Sequence, residues 1–336
     1  MTAVPFTVIG IDLGGTRIKA GLVDTGGTIH FLKNYATDVE FGKEQVVKKI
    51  VRIIKHLIKT ANEKGAFPKL IGLGAPGSIN REEGIVRISP NLPDWKDVPL
   101  ARIISKETGL PTFIDNDAQV VTIGEKWVGA GRDMNDFVCL TLGTGVGSGL
   151  FLNGRPWFGG QGMGSELGHI TIQPWGKRCR CGNRGCLETL ASAPYLVQKA
   201  QKGLDKKIPT LLTEALVKKS TPLSARLLYE TARKGDPFCI SLYAELGKFL
   251  GIALANIVHI LGIEGVVLGG GVSKASTIFL PYLEKEFKKR LTMVPADKVT
   301  IRVSFLREKS GILGAAKMAM ERDEGHPRLQ AKGYRQ

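Results

Sequence analysis

The sequence predicts an α/β protein of two similar lobes, on three observations. An apolar strand, a glycine-rich turn containing threonine and a second apolar strand occur once as Val8-Ile9-Gly10-Ile11-Asp12-Leu13-Gly14-Gly15-Thr16, continuing into Ile18-Lys19-Ala20-Gly21-Leu22-Val23. The same device recurs as Val138-Cys139-Leu140-Thr141-Leu142-Gly143-Thr144-Gly145-Val146-Gly147-Ser148-Gly149, continuing into Leu150-Phe151-Leu152. Each copy is followed by a further turn, Thr25-Gly26-Gly27 or Asn153-Gly154, which is a hairpin signature near the start of each half. The third observation is length: 336 residues exceed a typical single core.

The elements between the hairpins fit this scheme. Residues 43–63 carry Val46, Val47, Ile50, Ile53, Ile54, Leu57 and Ile58 at helical spacing, so one face turns to a core. Residues 69–73 read as a short strand ending in the loop Gly74-Ala75-Pro76-Gly77. A strand at 111–115 gives way at Asn116 to a helix through Trp127. Residues 195–258 read as mainly helical, with breaks at Thr221-Pro222 and Gly235-Asp236-Pro237. A strand at 265–268 leads into Gly269-Gly270-Gly271-Val272-Ser273, and an alanine-rich helix at 311–320 closes the fold. The charged tail from Glu321 onward is expected to be disordered.

Composition narrows the classes of function. A hydrophobic fraction of 43% fits an ordinary globular enzyme. No apolar run reaches the ~18 residues of a membrane helix, and the N-terminus lacks a basic region ahead of an apolar one, so a soluble, cytoplasmic protein without membrane partners is expected. The formal charge of +16 is spread along helical stretches and is not interleaved with aromatics, which reads as a solvated surface without specific nucleic-acid binding. Cys139 and Cys239 read as buried small hydrophobes, whereas Cys179, Cys181 and Cys186 cluster, which points to a reducing compartment and a metal site.

Glycines in the first turn let backbone N–H groups approach phosphate oxygens. Thr16 adds a hydroxyl, Arg17 or Lys19 a positive charge, and Asp12, at a strand end, suits a magnesium ion held through water. Neither turn has the Walker Gly-Lys-Ser/Thr pattern, and neither is a Rossmann fingerprint, because a strand and not a helix follows it. The segments at 12–16, 142–147 and 269–271 resemble the phosphate-1, phosphate-2 and adenosine segments of actin-like sugar kinases. Within that superfamily the chain resembles the ROK family (repressor, open reading frame, kinase) from residue 7 to 320. The resemblance implies a ribonuclease-H-like fold in each lobe, an interlobe active site, and a C-terminal helix returning to the N-terminal lobe. It implies ATP and Mg²⁺ as cofactors, with Asp12, Gly14, Gly15, Thr16, Lys19, Thr144, Gly145, Gly147, Gly270 and Gly271 on the nucleotide side.

The most specific signal is Gly168-His169-Ile170 followed by Cys179-Arg180-Cys181-Gly182-Asn183-Arg184-Gly185-Cys186-Leu187-Glu188. One imidazole and three thiolates make a closed tetrahedral set for a structural Zn²⁺ at His169, Cys179, Cys181 and Cys186. The run matches the ROK pattern Cys-x-Cys-Gly-x-x-Gly-Cys-x-Glu without departure. Four protein ligands leave no open position, so the expected role of zinc is to fix the loop that presents Glu166, His169 and Glu188 to a sugar.

Phosphoryl transfer to a hydroxyl needs a base, and the candidates lie in Ile114-Asp115-Asn116-Asp117-Ala118 at a strand-to-helix turn. Asn116 followed by Gln119 also resembles a helix cap, which would leave Asp117 free, while Asp115 precedes the turn. The resemblance assigns the base to Asp117 and sugar contacts to Asn116, to Asn91 in the rigid loop Ser89-Pro90-Asn91-Leu92-Pro93-Asp94-Trp95, and to Gly74 behind it.

The expected substrate is a hexose, glucose first, with N-acetylmannosamine, mannose, fructose or allose as alternatives. A sugar-responsive repressor would carry an added N-terminal helix-turn-helix domain, for which a chain starting at the first strand has no room. A polyphosphate-dependent kinase of this family would lack the cysteine loop. The expected lobes are 1–117 with 311–320, and 118–310, and resembling proteins imply a homo-oligomer, dimer or tetramer.

Overall fold

The structure is a computed structural model and describes residues 7–160, 162–219 and 222–325. The chain divides into two compact units, residues 1–132 with 158–164 and 308–336, and residues 133–157 with 165–307.

In the first unit the opening hairpin is β1 (Thr7–Leu13) and β2 (Arg17–Asp24), extended by β3 (Ile29–Ala36). Helix α1 (Lys43–Glu63) buries Val46, Ile50, Ile53, Ile54 and Leu57, the stripe its spacing predicts, with Val47 and Ile58 partly covered at its edges. Then come β4 (Pro68–Ala75), the short strands β5 (Ser78–Asn80), β6 (Ile85–Ile88) and β7 (Lys96–Val98), α2 (Leu100–Thr108), β8 (Thr112–Asn116) and α3 (Asp117–Val128). The main sheet has the order β3-β2-β1-β4-β8, with the hairpins antiparallel and β1, β4 and β8 parallel. The small sheet β5-β6-β7 was not anticipated; its strands are too short to carry a readable alternation.

The second unit repeats the plan. Strands β9 (Phe137–Leu142), β10 (Val146–Leu152) and β11 (Arg155–Trp157) form the antiparallel part. Helices α4 (Glu188–Ala191), α5 (Ala193–Asp205), α6 (Leu212–Lys219), α7 (Ala225–Ala232) and α8 (Pro237–Leu261) precede β12 (Gly265–Gly269), α9 (Ser276–Arg290) and β13 (Thr300–Val303). The order β11-β10-β9-β12-β13 matches that of the first unit strand for strand, as a duplication requires. Cys139 and Cys239 are both fully buried. The expected break at Pro222 is present, while Thr221 lies outside the described residues.

Three expectations change. The 25-residue α8 is long and apolar enough, by length and composition, to cross a membrane. It is instead a core helix: Leu246, Leu250, Leu254 and Val258 are buried, and Gly247 and Gly251 let it press on the α9 backbone at Phe279 and Leu283. The first unit runs to Arg132 and not to residue 117, because α3 packs on the closing helix α10 (Ser310–Gly325), also a first-unit element. Gly124 lies against the Ser310 carbonyl and Gly314 against the Val120 carbonyl, so any side chain there would hold the helices apart. The third change is the tail. Helix α10 continues through Gly325, whereas residues 326–336 lie outside the described ones.

Candidate active site

At the carboxyl ends of three adjacent parallel strands, β1, β4 and β8, the register brings Asp12, Gly74 and Asp115 into one row. In parallel α/β sheets this is where ligands are bound. The turn after β1 is tight: the Gly14 N–H bonds the Arg17 carbonyl at 2.9 Å, and buried Thr37 braces it by donating its hydroxyl to the Gly14 carbonyl at 2.7 Å. Thr37 was missed in the sequence because it is remote from the glycines it supports. Thr16 is exposed at the tip, and Lys19 pairs with Asp12 at 2.8 Å. Gly15 faces the backbone of Asn91, which projects from a loop pinned by buried Leu92 and Trp95.

Beyond β8, Asn116 caps α3. Its side-chain oxygen accepts the N–H groups of Ala118 at 2.9 Å and Gln119 at 3.3 Å, and its amide donates to the Gly77 carbonyl at 3.0 Å. Capping therefore falls on Asn116, and Asp117 opens the helix, where the macrodipole favours its anion. One Asp117 oxygen accepts the Ala118 N–H at 2.8 Å. Gly74 has to be glycine because the first turn of α3 crosses it: a Cβ would strike Val120 and lie 3.5 Å from Cα of Asp117.

In the second unit, the N–H of Gly143 bonds the Gly145 carbonyl at 2.9 Å, closing the turn between β9 and β10. The Glu188 carboxylate accepts the Val146 N–H at 3.1 Å and touches Gly145, so it braces this turn. Gly147 lies within β10 opposite Thr141, past the turn itself. Buried Ser148 donates to the Ser165 carbonyl and accepts the Leu167 N–H at 3.0 Å, which fixes the segment carrying Glu166 and His169. Gly168 lies against the Val146 carbonyl and leaves no room for a side chain. Burial of the Glu166 carboxyl raises its pKa, His169 opposes that shift, and the Glu188 charge adds to it, so these three groups share one neighbourhood.

The four metal-ligand candidates also come together. Atoms from His169, Cys179, Cys181 and Cys186 all lie within 4.8 Å of one another. Nδ1 of His169 is 3.7 Å from Sγ of Cys179, and Sγ of Cys181 is 3.7 Å from Sγ of Cys186. A tetrahedral zinc with bonds of ~2.3 Å to sulfur separates its sulfurs by ~3.8 Å, so the residues fit that ion. Gly182 (φ +98°) and Gly185 (φ +65°) turn the loop, and Gly185 also packs on the Gln173 carbonyl. Burial pushes the Cys179 thiol up and that of Cys186 to about 12, and a bound dication supplies the charge that holds such thiols as thiolates.

A cleft of about 640 Å³ opens beside the second turn, lined by Thr144, Gly271, Lys274, Arg226, Tyr229 and Arg233 among others. Gly270 (φ +84°) packs on the Leu142 backbone and turns the chain into it. The side chains from α7 had no sequence signal, since they stand on the outer face of an ordinary amphipathic helix.

A family model described as the ROK family matches residues 8–322. The chain belongs to the ROK family. Among similar ROK proteins, a glucokinase of Thermotoga maritima is 40% identical over 95% of this chain and 98% of its own length. A ROK family glucokinase from Streptomyces griseus, solved with glucose and AMPPNP, is 31% identical with a TM-score of 0.82, covering 94% of this chain and 99% of that one. The family's other branch is represented by a putative xylose repressor of a Caldicellulosiruptor species, 31% identical over 93% of this chain and 78% of its own length. The actin-like architecture of ROK proteins accounts for the repeated sheet order described above.

Proposed function

We propose that this chain is a glucokinase that transfers the γ-phosphoryl group of ATP to the 6-hydroxyl of glucose. The observation that carries the reading is the row of strand ends at which Asp12, Gly74 and the Asn116–Asp117 turn meet, with the phosphate-type turn of β1 beside them. A phosphate grip and a helix-capped carboxylate on one sheet edge are what transfer to a hydroxyl requires. Similarity to glucokinases over nearly the whole chain supports glucose as the acceptor.

Asp117 accepts the proton of the attacking hydroxyl at a carboxylate oxygen as the oxygen–phosphorus bond forms and ADP leaves. Asn91, Asn116, Glu166, His169 and Glu188 orient the sugar hydroxyls. With Nδ1 of His169 turned to the thiols, its other ring nitrogen is the one to meet a sugar hydroxyl. Backbone N–H groups of the two turns hold phosphate oxygens, and the cleft lined by Tyr229 and Arg233 takes the adenosine. Asp12 is the residue that would hold Mg²⁺, which when bound neutralises phosphate charge. Zinc fixes the sugar loop, and the chain works in the cytoplasm as a homo-oligomer.

A coupled ADP-release assay over a panel of hexoses and phosphoryl donors tests this. Glucose with ATP should exceed N-acetylmannosamine by at least ~10-fold in kcat/KM, about 1.4 kcal/mol, because a set of donors and acceptors matched to free hydroxyls leaves no room for an acetyl group. A reversed order would move the enzyme to another hexose, and absence of turnover on every sugar would remove the kinase reading.

A further inference from the structure

Asp115 is almost completely buried at the end of β8, one residue before the cap of α3. One of its oxygens accepts the Asn116 N–H at 2.8 Å. The other lies 3.5 Å from Nε of Arg81, in the turn between β5 and β6, and makes no direct hydrogen bond. Nε of Arg81 and Nη1 of Arg322 are likewise buried without a hydrogen-bond partner. Each guanidinium is held by a ring: Arg81 lies 3.5 Å over Phe158, and Arg322, from the last turns of α10, lies 5.2 Å over Phe113. Phe113 shares a face of β8 with Asp115, since strand side chains alternate. Four stretches distant in sequence thus meet at one carboxylate.

As a source of stability the cluster is a poor choice. Desolvating ions costs as much as their pairing returns, and buried polar atoms without partners add to that cost. Its placement suggests a different use. Burial raises the Asp115 carboxyl, and Arg81, the Asn116 N–H and Arg322 pull it back, with Glu82 adding a like charge from the hairpin. The charged groups gathered at these strand ends are therefore Asp115 with Arg81, Glu82 and Arg322, and Asp12 with Lys19.

We propose that Asp115, Arg81 and Arg322 are positioning residues for the phosphoryl-transfer site: the carboxylate fixes the Asn116 backbone, and the guanidiniums set the charge felt by Asp117. This rests on the reading of Asp117 as the base. The path runs from α10 and the β5–β6 hairpin, through Asp115, into the turn that presents the base, so residues that touch no substrate still govern its ionisation.

The test uses the full chain with Arg322→Met, which keeps the aliphatic stem and removes the charge, and Arg322→Lys, which keeps the charge. Losing one positive charge makes Asp117 harder to ionise, so the acid limb of kcat/KM for glucose should move up by about half a pH unit in the Met variant. kcat should fall about ten-fold with the KM for ATP within two-fold, as expected when base rather than nucleotide binding is disturbed. Arg322→Lys should return the acid limb to its wild-type position. An unmoved limb in Arg322→Met, or equal impairment of the Lys and Met variants, overturns the proposal. Should Arg322→Met fail to fold, Arg81→Met against Arg81→Lys makes the same comparison from the hairpin. Amide exchange across residues 113–119 gives a readout independent of turnover: Asp115→Ala should speed exchange of the Asn116 N–H at least ten-fold, and unchanged protection removes the positioning role. If the wild type phosphorylates no hexose, the kinase reading fails, while the exchange result still decides what Asp115 does.

Discussion

The Ser310 hydroxyl donates a 2.6 Å hydrogen bond to Oε1 of Glu125, a carboxylate wholly buried in α3. Its second oxygen accepts the Ala130 N–H at 2.9 Å. The chain first leaves this unit after Arg132, returns to it at residues 158–164 and re-enters it for the last time at Glu308, so one side chain fastens the stretches next to the first exit and the last entry.

Glu125→Ala should lower the unfolding free energy by about 2–4 kcal/mol, because it removes at once the carboxylate that accepts the Ser310 hydroxyl and the Ala130 N–H. Ser310→Ala alone should cost about half as much, and the double variant should cost less than the sum. Denaturant titrations of the three variants give the coupling directly. Strict additivity would mean the two groups act independently.

Asp117→Asn should lower kcat by at least ~10²-fold while glucose affinity stays within a few-fold. The substitution keeps an oxygen for the Ala118 N–H, so the start of α3 is preserved. Steady-state kinetics with a separate glucose-binding titration resolve the two quantities. Near-normal turnover would send the search for the base elsewhere.

Elemental analysis should find one zinc per chain. Cys181→Ala should lose the metal and weaken glucose binding together, since His169 serves both loop and sugar in the proposed site. Metal loss with unaltered affinity would leave zinc a purely structural part.

Asp236, the buried N-cap of α8, gives a pH-dependent stability. Burial pushes its carboxyl up, but bonds from the N–H groups of Cys239 and Leu211 and the Thr210 hydroxyl prevail, and its pKa lies below the ordinary value. A depressed folded-state pKa stabilises above the unfolded pKa of ~3.9 and ceases to do so as pH falls through the folded value. The melting temperature of Asp236→Ala should therefore lie below wild type by a constant margin from about pH 5 to 7, and the two should converge only in stronger acid. A margin that grows on acidification would contradict this sign.

Both phosphate-type hairpins were legible because the turns at Gly14-Gly15 and Gly143–Gly145 announce themselves next to apolar strands. The α1 stripe and the four zinc-ligand candidates were legible for a similar reason: their spacing is local. Glu321, Arg322 and Asp323 were read as a charged tail, but they continue α10, and Arg322 is held by Phe113, some two hundred positions earlier. The Asp115 cluster and the cleft formed around Tyr229 and Arg233 were invisible in the same way. Their partners are assembled by topology, which no window along the sequence contains. The boundary after Arg132 depends likewise on a helix pair, α3 with α10, whose members sit far apart in the chain.

Helix α10 is the element that seats against Gly10 and Gly72 of the first sheet, with Ile312 and Ala315 filling the space over them. The ribosome makes that sheet before the second unit and this helix after it. The roughly two hundred intervening residues take on the order of 10–40 s to synthesise. During that interval one apolar face of β1, β4 and β8 has no cover, so the first unit to emerge is the last to be completed. A nascent chain arrested at residue 305 should keep this sheet open to proteases, whereas one extended past residue 325 should close it.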